Sequence, residues 1–174
     1  MAHSEIELNP VDFVTIGTIG PKGQRVFHLQ AGAQAKVITV IIEKEQARAL
    51  SEAIRELLDD LAGRFPDRQP GGVRDYNLDL REPVEPLFRV SQMGIGYDED
   101  RDQIVLVAQE MMRGRILDED DDDDEDDAED NDAVIIRLWC SRAQMSALAD
   151  HAMSIVQSGR PDPRQNGRLV YYWT

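Results

Sequence analysis

The chain has 174 residues, 41% of them apolar, and a formal net charge of −15. That length suits one ordinary domain, or two small halves sharing a core. No basic stripe is present for nucleic acid to bind. A single cysteine rules out an intrachain disulfide, and no apolar run reaches the length of about 18 residues that a membrane helix needs.

The negative charge is not spread evenly. Residues 118–132 (DEDDDDDEDDAEDND) hold 13 acidic side chains and no basic one, which leaves 21 acids against 19 bases elsewhere. The folded body is therefore near neutral. The run lacks the glycine and ligand spacing of a calcium loop, and like charges keep such a segment extended and solvated. With no cationic, apolar leader in MAHSEIELNP, and a lone cysteine that suits a reducing compartment, the expected location is the cytoplasm.

In chain order, Val11–Ile19 is β-prone, Gly20-Pro21-Lys22-Gly23 supplies a turn, and Gln24–Ala31 reads as the return strand of a hairpin. Gly32 turns the chain into Lys36–Ile42, apolar on both faces as a central strand is. Glu43–Ala62 carries a helical stripe of Ala49, Leu50, Ala53, Ile54, Leu57, Leu58 and Leu61, and Gly63 is the expected stop, with positive φ. Residues 63–86, with four prolines and Gly71-Gly72, form a connector. Leu87–Tyr97 and Gln103–Met112 read as strands around an acidic turn at Asp98–Asp102. After the acidic run, Ala133–Cys140 is a strand. Ser141-Arg-Ala-Gln144 is a capping box that starts a second helix, whose stripe is Met145, Leu148, Ala149, Ala152, Ile155 and Val156.

Part of this series repeats. Residues 37–58 align without a gap on 135–156, so that Lys44 meets Arg142, Gln46 meets Gln144, Ala49 meets Ala147 and Leu50 meets Leu148. The expected fold is one α+β domain of duplicated βββα units (halves 11–62 and 87–158). Hairpin-linked strands predict a mainly antiparallel sheet with both helices on one face. The acidic run becomes a loop inserted in the second half, and 159–174 a tail ending in Tyr171, Tyr172 and Trp173.

Few residues point to chemistry. The glycines at 17, 20 and 23 precede a strand, whereas a phosphate-binding glycine loop opens a helix. His3, His28, His151 and Cys140 have no metal-ligand spacing. Cys140 stands just before a helix N-cap, where a thiol pKa can fall, yet its counterpart Ile42 marks a buried apolar position. No catalytic residue, metal or cofactor is implied. The strand–helix junctions are richer. Lys44, Arg142 and Gln144, with Arg25, Gln30 and Arg89 on strands, would line a polar groove for a small anion. The same side chains have structural uses as helix caps and strand bridges.

One family shares these blocks. The run Gly17…Gly20-Pro21-x-Gly23-Gln24-Arg25-x-Phe27-x-Leu29-Gln30, then Glu43-Lys44-x-Gln46, Leu87-Phe88-Arg89-Val90 and Gly159-Arg160-Pro161, resembles the DUF3090 family, an uncharacterised bacterial family. The resemblance implies no activity. It also shows a departure. Members commonly follow Gly-Arg-Pro with a Cys-x-x-Cys…His…Cys element like a zinc knuckle, whereas Asp162–Gly167 here holds no cysteine or histidine.

Two functional readings follow. The first is a non-catalytic binding or adaptor protein whose partner, another protein or a second copy, docks on the sheet face or the aromatic tail. The second is a protein that binds or transforms a small anionic metabolite through the cationic cluster. A third, nucleic-acid mimicry by the acidic run, needs carboxylates held at phosphate spacing. The first two separate on geometry: convergence on one concave pocket favours a ligand, and an exposed apolar patch favours a partner.

Overall fold

A computed structural model describes residues 4–21, 23–68, 75–112 and 133–158. It contains β1 (Glu5–Leu8), β2 (Phe13–Ile19), β3 (Val26–Ala33), β4 (Lys36–Ile42), α1 (Lys44–Arg64), β5 (Pro86–Asp98), β6 (Gln103–Glu110), β7 (Ile135–Cys140) and α2 (Arg142–Ser158). The acidic run 118–132, His3 and the tail 159–174 lie outside the described residues.

The molecule is α+β, with one seven-stranded sheet in the order β1-β7-β6-β5-β4-β3-β2 and two helices. The sheet is mixed, so the expected antiparallel character is met only in part. The hairpin pairs β2–β3, β3–β4 and β5–β6 are antiparallel, as is β6–β7, but β4–β5 and β1–β7 run parallel. The reason is connectivity. A helix and a long connector separate β4 from β5, so the chain is carried back before it pairs again. The four-residue β1, too short to stand out in sequence, adds the second parallel pair.

β1 and β2 end the strand order, yet only four residues separate them. Val11 N–H donates to Trp139 O (2.9 Å) and Asp12 N–H to Gly32 O (2.7 Å). The segment therefore leaves the β7 ladder and joins β3 within two residues, and the two ends of the sheet meet there.

One face of the sheet is continuous and apolar. Cross-strand register aligns Ile16 with Leu29 and Val40, and Leu106 with Leu138 and Leu8. These side chains form a single core cluster with Leu50, Ile54 and Leu61 of α1 and Met145, Leu148 and Ala152 of α2. Burying such side chains stabilises the fold by about 1.5–3 kcal/mol each.

The stripe of α1 is rotated from the expected one. Ala47 and Ser51 are buried and Ala49 is exposed, because α2 lies alongside α1. Ser51 Oγ donates to Ala149 O (2.7 Å), so its hydroxyl is partnered in the interior. Gly63 stays helical rather than taking positive φ; the helix continues to Arg64, and Phe65 N–H bonds Leu61 O. Positive φ falls instead on Gly20 (113°) and Gly23 (87°), which make the β2–β3 turn.

The middle of the second face of β2-β3-β4 is covered too, by the connector. Thr15 donates to Leu78 O, and Leu80 sits where a Gly17 side chain would be, its Cγ 2.5 Å from the ideal Cβ position. Gln30 holds Arg81 from both sides, with Nε2 donating to Arg81 O (2.9 Å) and Oε1 accepting from Arg81 N–H (2.7 Å). The Arg81 guanidinium stacks 3.6 Å from the Phe13 ring centroid. A polar strand face (Thr15, Gln30, Thr39) is thus closed by backbone groups that need partners of their own.

A candidate anion-binding cleft

Three strands end or begin at one place. Antiparallel pairing sets Phe27, near the start of β3, beside Ile42 at the end of β4. Parallel pairing sets Arg89 of β5 beside Ile41. Arg25, just before β3, and Lys44, the first residue of α1, therefore meet Arg89 in a cleft of about 390 Å³ lined also by Gly23, Val26, Phe27, Ile42 and Glu43.

Three cations thus face one carboxylate. Glu43 pairs with Arg89, and both are about half exposed. Among the described residues, Arg25 and Lys44 make no ion pair. Glu43 also caps α1: its side chain accepts from the Gln46 backbone, and Gln46 Oε1 accepts from Glu43 N–H at 2.8 Å. The positive end of the α1 dipole lies at the same spot. Below the charges, Phe27 and Ile42 are buried core residues, while Val26, on the other face of β3, is 38% exposed and is the apolar side chain open to the cleft.

The other three candidates lie elsewhere, and their polar groups are engaged. Gln30 is fully buried in its clamp on Arg81 and Thr39. Gln144 Oε1 accepts from Ser141 N–H (2.9 Å) and its Nε2 donates to Val11 O (3.1 Å). Arg142 is 5% exposed. It donates through Nε to Asp102 (2.8 Å), and through its two Nη groups to Arg68 O and the Tyr97 hydroxyl, both at 3.1 Å. Tyr97 in turn donates to Asp102. Burial pushes the Asp102 carboxyl up, but the hydrogen bonds from Tyr97 and Arg142, with the charges of Arg142 and Arg68, outweigh it and hold the group below its ordinary value.

Lys44 and Arg142 occupy the same position, the first residue of a helix entered from a strand. At one junction the cation is sealed into a knot; at the other it opens on a cleft. The knot's partners, Asp102, Tyr97 and Arg68, are distant in sequence from Arg142 and carry no motif. The apolar lining was closer to legible, since Val26, Phe27 and Ile42 adjoin the cationic positions directly.

Cys140 is fully buried, and desolvation pushes its thiol up to about 12, against any lowering by the helix end. Among the described residues no group of three or more His, Cys, Asp or Glu side chains is placed to hold a metal. A second groove, of about 300 Å³, runs between α1 and β5 past Ala49, Ala53, Met93 and Ile95. Among the described residues no helix is long and apolar enough to cross a membrane.

The chain is thus an α+β protein built on a mixed seven-stranded sheet with two helices. The chain belongs to the family described as "Protein of unknown function (DUF3090)", whose model matches residues 6–166. Neither the curated proteins nor the solved structures contain a significant match to it.

Proposed function

We propose that the protein is a non-catalytic binding protein whose ligand is a small anion held by Arg25, Lys44 and Arg89. The observation that carries this is convergence: three cations from three elements line one concave space, and two of them have no acidic partner among the described residues. A helix start and the exposed Val26 side chain complete a site in which an anion gains charge-assisted hydrogen bonds.

The reading includes the origin of the site. The two strand–helix runs are copies of one βββα unit in which Gln46 and Gln144 keep the same two tasks. Each caps its helix, and each reaches the backbone of a neighbouring segment, Val90 O in β5 for one and Val11 O in the β1–β2 link for the other. The copies diverged at the next cation, which left one junction open. The single buried thiol suits a cytoplasmic setting.

Titration with inorganic phosphate at low salt, followed by amide chemical shifts, tests the proposal. Saturable, millimolar binding is expected at residues around 25, 44 and 89, weakening as salt rises. Arg25→Gln with Lys44→Gln should weaken it by about tenfold, the equivalent of roughly 1.4 kcal/mol. Binding unchanged in that double variant would sink the idea.

The groove between α1 and β5 supports a second reading, in which the chain docks a protein partner on Ala49, Ala53, Met93 and Ile95. Native mass spectrometry of protein from its own host separates the two, since one predicts a retained small anion and the other a retained polypeptide.

A further inference from the structure

We infer that the ligand is a phosphate monoester carried on an apolar body, an inference that rests on the cleft being the anion site proposed above. Charge sets the first half. Glu43 and Arg89 already neutralise each other across the rim. What remains is the pair Arg25 and Lys44, so a dianion balances the site and a monoanion leaves one cation unmatched. A phosphate monoester is close to dianionic at neutral pH, its second pKa being about 6. Its three oxygens suit a forked guanidinium beside a point-charge ammonium.

The lining sets the second half. A cleft of about 390 Å³ is larger than a bare phosphate fills. The part not lined by charge is Gly23, Val26, Phe27 and Ile42, none with a hydrogen-bonding side chain, and with Phe27 and Ile42 buried the apolar surface on offer is that of Val26. Water over such a surface is readily displaced by an apolar group. Val26 is the accessible member, 38% exposed, and it pairs with Ile19 at the mouth of the hairpin, itself 44% exposed. The ligand's body therefore lies on Val26, toward Ile19, with its phosphate directed to Arg25 and Lys44.

The test titrates the full chain with phenyl phosphate, inorganic phosphate and benzoate by calorimetry at low salt. Phenyl phosphate should bind about tenfold more tightly than either of the others, as expected when one ring face leaves water and one extra charge is matched. Val26→Gln, a substitution at a surface position, should remove most of the advantage of phenyl phosphate over inorganic phosphate. Arg25→Gln should weaken both phosphates. Equal affinity for the two phosphates would overturn the apolar body, and equal affinity for benzoate and phenyl phosphate would overturn the dianion; either result leaves the cleft an anion site. Failure of all three probes to bind would remove both this inference and the functional proposal beneath it.

Discussion

Arg142 shows how a residue's environment decides its role. Its sequence neighbours place it at a helix start like Lys44, and on that ground it belonged with the cationic candidates. Burial changes its use. A guanidinium at 5% exposure must satisfy its donors, and Asp102, Tyr97 and the Arg68 carbonyl do so. Arg142→Met should cost about 3 kcal/mol in urea denaturation, the low end for breaking a buried pair, because Asp102 keeps 42% side-chain exposure and can rehydrate. The pair also shapes the response to acid. A depressed carboxyl pKa in the folded state contributes stability that is present above the unfolded value and lost as pH falls through the folded one. Asp102→Asn should therefore flatten part of the acid-unfolding curve below about pH 4 while lowering stability at neutral pH. An acid limb identical to that of the parent protein would show that the knot does not couple to protonation.

Among the elements, the strands and helices follow from hydrophobic period and turn residues, and most boundaries agree within two or three positions. What the pattern misplaces is telling. The stripe of α1 was read as facing a sheet, but a neighbouring helix pulls Ala47 and Ser51 inward, and small residues suit that close approach. The connector gives no periodic signal, yet residues 78–81 cover the middle of the second face of β2-β3-β4 through one clamp at Gln30 and one plug at Gly17. A side chain at position 17 would collide with Leu80. Gly17→Ala should cost about 1–3 kcal/mol by overpacking, and Leu80→Ala should recover part of that loss in the double variant. Simple additivity of the two losses would mean that Leu80 does not sit against Gly17 in solution.

At the scale of the whole molecule, the core is one cluster spanning both halves and both helices. Cys140 lies inside it, with its thiol pushed up to about 12. Its reaction with a thiol reagent at pH 8 should consequently need global opening. Labelling rates measured across a urea series should give the same free energy as equilibrium unfolding. Fast labelling without denaturant would place Cys140 at a locally opening edge and refute a single cooperative core.

Turns, the capping box of the second helix, the helical periodicity and the class of fold came from the chain alone, because each depends on residues within a few positions of one another. The same holds for the candidate cations at 25, 44 and 89. Pairing that spans helices and connectors was decided only by tertiary structure, and with it the parallel contacts of β4 with β5 and β1 with β7. So was the fate of each polar side chain. Gln30 and Arg142 are committed to partners that no local pattern reveals, and Gln144 adds to its capping box a bond to the distant Val11 carbonyl, while Arg25, Lys44 and Arg89 are brought to one cleft by the register of three strands. Local free energies choose the elements; which charges meet, and which are left unpaired, depends on contacts between residues far apart in the chain.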